Sequence, residues 1–328
     1  MAFDIKRYNK DTDKETWNQF VASSKQGTFL LHRSYMDYHS DRFSDHSLMV
    51  YKNQKLYAIL PGNQKDSTFH SHQGLTYGGL LTTEKATTED ICEVFAAINS
   101  YLKENGFRKV IYKPIPWIYS QLPAEEDLYA LFKECHAQII VRNISAVINL
   151  QHPLKWYNIR KQGAKKALAS GLRTEFCNSD EDYQAYWELL STNLMKTYGA
   201  KPVHTLEEIN NLRHHFPQNI CLYVEREQDK TLEDGSICKG KILGGTLLYI
   251  STHVVHTQYI SASEEGKQRH ALDALFLHLI QQEYKDYEYF DFGTSNEDGG
   301  KYLNTSLIYQ KEGFGGRGMV YDTYEWEL

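Results

Sequence analysis

The strongest pattern of hydrophobic and polar positions lies between Gly240 and Glu312. It begins with two runs rich in β-branched and aromatic residues, Lys241–Ile250 and His253–Ile260, which predict two β-strands. Residues 271–282 place their apolar side chains on one stripe at helical spacing, which predicts an amphipathic helix. The run Tyr287–Phe292 predicts a third strand. We expect this order of strand, strand, helix and strand to carry the chemistry of the protein.

The first half of the chain predicts the same order of elements roughly 180 residues earlier. Two strand-like runs, Ser47–Tyr51 and Lys55–Pro61, predict a hairpin, and a helix is expected over Ile91–Asn105 before a strand at Lys109–Lys113. The repeated order predicts an α/β fold with mixed sheets and two tandem copies of one unit. We therefore expect domains at residues 1–150 and 151–328.

Composition and charge restrict the class of protein. The length of 328 residues allows two domains, and the net charge of -6 argues against a surface that binds DNA throughout. The five cysteines are far apart without a CxxC spacing, so neither a disulfide framework nor a metal site is predicted. The polar start and the lack of a long apolar run predict a cytoplasmic protein without a membrane span.

Four groups of residues carry a resemblance to a known family. They are Ile159-Arg160-Lys161 with Lys165-Lys166, Ala271–Phe276, Asp291-Phe292-Gly293, and Asn304 through Lys311-Glu312-Gly313-Phe314-Gly315. In these residues the chain resembles the Gcn5-related N-acetyltransferase (GNAT) superfamily, and more closely its two-domain Fem-type (FemABX-like) branch. The resemblance implies two tandem GNAT-like domains, with the active site in the second.

Family membership implies transfer of an acyl or aminoacyl group to an amine, with acyl-CoA as co-substrate in the acetyltransferase relatives. Their pyrophosphate-binding turn corresponds here to Ser263–Ala271, whose predicted cofactor-binding residues are Gly266, Lys267, Arg269 and His270. The turn departs from the family pattern because it keeps one glycine and adds Glu264 and Glu265, which would repel pyrophosphate. Fem-type ligases depart similarly and take their amino acid from aminoacyl-tRNA.

Amine acylation requires donors that stabilise the oxyanion of the tetrahedral intermediate and a group that accepts the amine proton. By resemblance, Lys311 matches the lysine at the acyl centre of Fem-type enzymes, although Gln310 replaces a phenylalanine of that motif. The alternative for Lys311 is an exposed lysine at a helix end. Tyr259 is a candidate proton donor or a core residue, and Asp291 is a candidate base or a loop cap.

Candidate substrate-binding residues lie in both halves. Arg160, Lys161 and Lys165 are candidates for binding the phosphates of a nucleotide- or lipid-linked acceptor, or of a carrier; the alternative is a solvated helix face. Tyr302 and Asn304 are expected in a loop near the end of the central strand. His32 is a candidate for lining a substrate groove, with a surface loop as the alternative.

The resemblance implies an N-acyltransferase that moves an acyl group from a thioester donor to an amine, such as an amino sugar or cell-envelope precursor. We expect acyl-CoA as the donor, because an acidic chain is a poor partner for tRNA. The alternatives are an aminoacyl-tRNA-dependent peptidyltransferase, which requires a basic surface around Lys155–Arg173, and a non-catalytic binding module on the same fold.

Overall fold

The computed structural model describes residues 3–328. Its helices are α1 (Lys14–Ser23), α2 (Arg33–Met36), α3 (Thr88–Glu104), α4 (Glu126–Lys133), α5 (Asn158–Ala169), α6 (Asp180–Tyr198), α7 (Leu206–His215), α8 (Glu264–Gln268), α9 (Ala271–His278) and α10 (Thr305–Gly313). Its strands are β1 (Phe3–Arg7), β2 (Ser44–Asp45), β3 (Leu48–Lys52), β4 (Lys55–Leu60), β5 (Asn63–Lys65), β6 (Thr68–His70), β7 (Leu81–Thr82), β8 (Lys109–Tyr112), β9 (Gln138–Asn149), β10 (Arg173–Cys177), β11 (Ile220–Arg226), β12 (Lys230–Thr231), β13 (Ile237–Cys238), β14 (Ile242–Ile250), β15 (Val254–Ala262), β16 (Tyr289–Thr294), β17 (Asn296–Glu297), β18 (Tyr302–Leu303) and β19 (Arg317–Glu327).

The chain forms two compact units. The first contains the chain up to Ile144 together with Asn296–Leu303 and Val320–Leu328. The second contains Ser145–Ser295 and Asn304–Met319. No helix within residues 3–328 is both long enough and apolar enough to cross a membrane.

The first unit is built around the helix α3. An antiparallel sheet runs in the order β1, β3, β4, β7, while β8 pairs antiparallel with β19 and parallel with β6. Phe95, Ile98 and Leu102 of α3 are buried in the same core as Leu131 of α4 and Trp326 of β19. The helix α3 therefore buries one apolar face against this core.

The second unit contains a mixed sheet in the order β10, β11, β14, β15, β16, β9. Neighbouring strands are antiparallel except β15 and β16, which are parallel. Every residue of β14 is buried, as expected for a strand that is covered on both faces. The helix α9 packs Leu275 and Phe276 into the same core as Phe290 of β16.

The parallel pairing of β15 and β16 is short. The ladder joins Val254 to Tyr289, Val255 to Phe290 and His256 to Asp291, and then ends. Both strands continue beyond it, β15 to Ala262 and β16 to Thr294. Because the ladder ends while the strands go on, the two strands separate, and side chains from the surrounding helices line the resulting gap.

The structure confirms the mixed α/β fold and the main elements of the second half. The helix expected over residues 271–282 begins at Ala271 and continues past His278 as a π-helical turn, Leu279–Glu283. One expectation is wrong. The turn expected over Ser263–Ala271 contains the short helix α8, because the Ser263 hydroxyl accepts the Gly266 N–H as a cap.

We expect Gly266→Ala to lower the free energy of unfolding by about 1–3 kcal/mol, as overpacking does elsewhere. A β-carbon at this position would lie 2.0 Å from the backbone oxygen of Leu243, which cannot move aside as a side chain can. Urea denaturation measures the change, and Gln268→Ala, at an exposed site in the same helix, is the control. Equal stability of both variants would show that α8 is not packed closely against β14.

Candidate active site

A pocket of ≈ 300 Å³ lies where β15 and β16 separate. Its lining comes from the C-terminal part of β15, from β16, and from the helices α6, α8, α9 and α10. The apolar lining residues are Leu190, Leu194, Ile260, Ala262, Leu272, Phe276, Phe292, Leu307 and Phe314, and the polar ones include Asn193, Thr197, Tyr198, Ser261, Lys267, Gln310 and Lys311. This pocket contains Lys311, the leading catalytic candidate from the sequence.

Lys311 is a buried lysine in the wall of this pocket. Only 5% of the residue is exposed, and Nζ donates hydrogen bonds to the carbonyl oxygens of Gly293 at 2.9 Å and Thr294 at 2.8 Å. Burial lowers the pKa of Lys311 to about 8, while the charge of Asp291 acts in the opposite direction. Within residues 3–328, no carboxylate lies within ion-pair distance of Nζ. The alternative of an exposed lysine at a helix end is therefore wrong.

Asp291 fixes the backbone on which Lys311 rests. Its buried carboxylate accepts hydrogen bonds from the Ser145 hydroxyl at 2.5 Å and from the Gly293 N–H at 2.9 Å, and Nδ1 of His256 lies 2.9 Å from Oδ2. The register between β16 and β9 shifts between Asp291 and Thr294, and Gly293 has φ +71°, which favours glycine. Asp291 thus stabilises the bulge that presents two carbonyl groups to Lys311. Its role as a base stays a prediction.

Arg160 binds a carboxylate of its own unit. Nη1 donates to Oδ1 of Asp273 at 2.8 Å, and the side chain of Asp273 is only 3% exposed. Nδ1 of His270 lies 3.2 Å from the other oxygen, Oδ2. Asp273 lies in the first turn of α9, where a negative charge is favourable to the helix dipole. The end of the helix that binds pyrophosphate in acetyltransferases therefore already holds a carboxylate.

The other cations of the turn before α9 are also paired. Lys267 lies 2.9 Å from Glu264, and Arg269 lies 2.6 Å from Glu227 and 3.4 Å from Glu265. The N–H of Gly266 donates to the Ser263 hydroxyl at 3.0 Å, and the close approach to β14 explains the glycine. The assignment of Gly266, Lys267, Arg269 and His270 to a cofactor stays a prediction. Of these four residues, Lys267 lines the pocket.

Tyr259 is not brought together with Lys311. Its hydroxyl lies 2.7 Å from Nδ1 of His204, in the loop before α7, and its ring packs edge-on against Trp187 at 5.3 Å. The next residue, Ile260, lines the pocket, and successive side chains of a strand point to opposite faces. Burial raises the pKa of Tyr259. Its local contacts are those of a residue that anchors a loop.

The remaining candidates from the sequence lie at separate places. Asn304 caps α10, since its side chain accepts the N–H of Leu307 at 3.1 Å. Tyr302 and His32 belong to the first unit, where Tyr302 is exposed in β18 and His32 caps α2. Desolvation lowers the pKa of His32. Their roles in substrate binding stay predictions.

The helix α5 presents a cationic face to solvent. Lys161 and Lys165 are exposed, as are Lys155 just before the helix and Lys166 within it. The sequence contains no Asp or Glu between Ser145 and Thr174. Arg160 is half-buried and differs from these lysines because it points to Asp273.

Sequence reasoning missed the contribution of α6 to the pocket. Leu190 and Leu194 lie one helical turn apart and share the lining face with Tyr198. Their spacing could have identified a common face. It missed His256 and Ser145 as well, because their contact with Asp291 depends on strand pairing over long sequence distances.

One acidic cluster has the composition of a metal site. Ligand atoms of Glu175, Cys177 and Asp182 lie within 4.8 Å of one another. The guanidinium of Arg226 already lies among them, 3.1 Å from Glu175 and 2.5 Å from Asp182. An internal cation therefore balances the negative charge of this cluster, and these residues do not fit a metal in this arrangement.

Comparison with known proteins finds a family model for part of the chain. Residues 156–302 match the model described as the acetyltransferase (GNAT) domain. No curated protein matches the sequence.

Solved structures match the fold over nearly the full length of the chain. The structure of FemX matches with a TM-score of 0.68 at 11% identity, covering 99% of this chain and 97% of FemX. L-PGS from Bacillus licheniformis matches with a TM-score of 0.59 at 12% identity, covering 98% and 93%. A tandem GNAT protein from the clavulanic acid biosynthesis pathway matches with a TM-score of 0.50 at 10% identity, covering 99% and 98%. At these identities the likeness shows a tandem GNAT and FemX-like fold.

We expect Arg160 and Asp273 to be energetically coupled. Asp273→Asn and Arg160→Met should each destabilise the protein, and a double-mutant cycle should give a coupling energy of about 1–3 kcal/mol because the two side chains form one partly buried pair. Denaturant unfolding of the four proteins measures it, with Asp286→Asn at an exposed site as the control. If the two substitutions change the free energy of unfolding additively, Arg160 and Asp273 do not stabilise each other, and the guanidinium of Arg160 is available to a ligand.

Proposed function

We propose that the protein is an acyltransferase that joins an acyl or aminoacyl group to an amine in the pocket beside Lys311. The observation that carries this proposal is a buried ammonium with two backbone acceptors in the wall of the pocket. A lysine ammonium has three N–H donors, so one remains for a ligand. An ammonium fixed in an apolar wall stabilises a negative charge that develops on a carbonyl oxygen next to it.

The reaction needs few groups from the protein. The amine attacks the carbonyl carbon of the donor, the carbonyl oxygen becomes an oxyanion beside Nζ of Lys311, and collapse of this intermediate releases the carrier. Asp291 keeps the Gly293 and Thr294 carbonyls in position, so the ammonium does not have to reorganise as charge develops. In this mechanism Asp291 is a positioning residue. A solvent molecule or the leaving group accepts the proton of the amine.

The geometry of α9 bears on the carrier of the acyl group. The positive end of α9 faces the carboxylate of Asp273, and Glu264 and Glu265 lie in the preceding helix. A pyrophosphate held there would meet these carboxylates and would compete with Asp273 for Arg160. The exposed lysines of α5, by contrast, supply the basic surface that a tRNA carrier requires. We therefore propose aminoacyl-tRNA as the donor and acyl-CoA as the second candidate.

Replacement of Lys311 tests the reaction centre. With a minimal activated acyl thioester and a panel of amines, Lys311→Met should lower kcat/KM by about 10²–10³ as loss of an oxyanion donor does. The wild-type rate constant for the neutral amine should fall above pH about 8, because Lys311 then loses its proton. Lys311→Arg retains the charge and should remove this alkaline decrease.

Product formation is measured by mass spectrometry across the pH range. The matched control is Lys285→Met, which removes an exposed lysine of the same unit and should leave the rate unchanged. If Lys311→Met and wild type transfer at the same rate with the same pH profile, Lys311 is not at the reaction centre and the proposal is wrong.

Binding of bulk tRNA and of CoA tests the carrier. We expect tRNA to bind, and Lys161→Glu combined with Lys165→Glu to weaken its binding. The slope of log affinity against log salt concentration should become shallower by about one for each phosphate contact that is lost. The reversal Lys103→Glu, in the first unit, is the control. A thermal shift with CoA that is insensitive to these reversals, with no binding of tRNA, would replace aminoacyl-tRNA by acyl-CoA as the donor.

A further inference from the structure

The pocket beside Lys311 is lined mainly by aliphatic and aromatic side chains. Building on the proposed function, we infer that it selects an uncharged apolar chain attached to the reacting carbonyl, which makes the transferred group hydrophobic and larger than acetyl. The residues that form the apolar wall are Leu190, Leu194, Ile260, Leu272, Phe276 and Phe292. Burial of an apolar chain against them is favourable in proportion to the area removed from water.

The distribution of charge in the pocket supports an uncharged chain. Among residues 3–328, no Asp or Glu lines the pocket, and the charged lining residues are Lys267 and Lys311. A transferred group with a terminal ammonium would lose its hydration and find no carboxylate in the wall. An uncharged apolar chain has no charge to desolvate and avoids this penalty.

The size and rigidity of the pocket support a chain longer than acetyl. Its volume of ≈ 300 Å³ is at the lower end of the range that binds small molecules. Phe276, Phe292 and Phe314 contact one another, with ring centroids 5.0–5.7 Å apart, and all three are almost fully buried. Three interlocked rings form a wall that does not collapse to fit a small group.

Such a chain can come from two sources, a fatty acyl group or an apolar amino acid. Both present an apolar chain next to a carbonyl carbon, and they differ in the α-ammonium group. The experiment therefore separates the chain from its carrier and compares ligands with and without this ammonium.

Straight-chain carboxylates from acetate to decanoate are suitable probes. The carboxylate imitates the oxyanion beside Lys311, and the alkyl chain enters the pocket. At pH 7 we expect calorimetric affinity to rise about fourfold per methylene, the value for full burial, until the pocket is filled. 6-Aminohexanoate, which has a charged end, should bind at least tenfold more weakly than hexanoate.

Two matched variants locate the binding. Leu194→Trp fills the pocket from α6. It should abolish the increase in affinity with chain length for the longer carboxylates, while the short ones still bind. Met195→Trp adds the same ring at the adjacent position, which is 50% exposed and does not line the pocket, and should behave as wild type. Leu307→Trp fills the pocket from α10 and serves if Leu194→Trp does not fold.

The source of the apolar chain, a fatty acyl group or an amino acid, is tested with leucine and 4-methylpentanoate. These two ligands share a carbon skeleton and differ only in the α-ammonium. Equal or tighter binding of leucine indicates an apolar aminoacyl group, and weaker binding of leucine indicates a fatty acyl group. Either result is compatible with the inference. An affinity that does not change with chain length, or binding of 6-aminohexanoate equal to that of hexanoate, would overturn it.

Failure of this inference and failure of the proposed function give different experimental results. A chain-length dependence that disappears in Leu194→Trp supports the apolar pocket even if Lys311→Met leaves transfer unaffected, in which case only the reaction centre is wrong. Conversely, transfer that depends on Lys311 but shows no preference for chain length overturns the apolar pocket and leaves the acyltransferase intact.

Discussion

The hydrogen bonds from Lys311 to the carbonyls of Gly293 and Thr294 are the interaction on which the candidate site depends. Burying an ammonium without a paired carboxylate is unfavourable unless polar groups replace its hydration. The bulge in β16 provides two such groups, and Asp291 holds the bulge through the N–H of Gly293. The result is a cation whose partners are dipoles, so its charge remains available to a ligand in the pocket.

At the N-terminus of α9, by contrast, charged side chains pair with one another. There the charges are neutralised within the protein, since Asp273 interacts with both Arg160 and His270. Gly163 allows this arrangement, because a β-carbon at that position would lie 2.0 Å from the carboxylate of Asp273. A pyrophosphate would have to displace an internal ion pair, whereas an oxyanion beside Lys311 would displace no charged group. This difference supports the proposed reaction centre at Lys311.

Local patterns in the sequence were sufficient for the elements that position the site. The strands β14, β15 and β16 and the start of α9 follow from apolar runs and helical spacing, and Lys311 follows from resemblance to a family motif. The pairing of Arg269 with Glu227 or of Arg160 with Asp273 could not be predicted, because it depends on how distant segments pack. Tyr259 illustrates a further limit. Alternation along a strand shows that Tyr259 and Ile260 face opposite sides, but not which side contains the pocket.

The charge of Lys311 also restricts the acceptor under the proposed mechanism. The amine must be neutral to attack, whereas Lys311 must be protonated to stabilise the oxyanion, so the two requirements have opposite pH dependence. The pKa of Lys311 is lowered to about 8, and an α-amino group has an ordinary pKa of about 7.7–8.0. Near pH 8, a substantial fraction of such amines is neutral while Lys311 is still partly charged. An ordinary lysine side chain, with a pKa of about 10.4, becomes neutral only where Lys311 has lost its proton. The site therefore fits an acceptor amine of low basicity better than a lysine side chain.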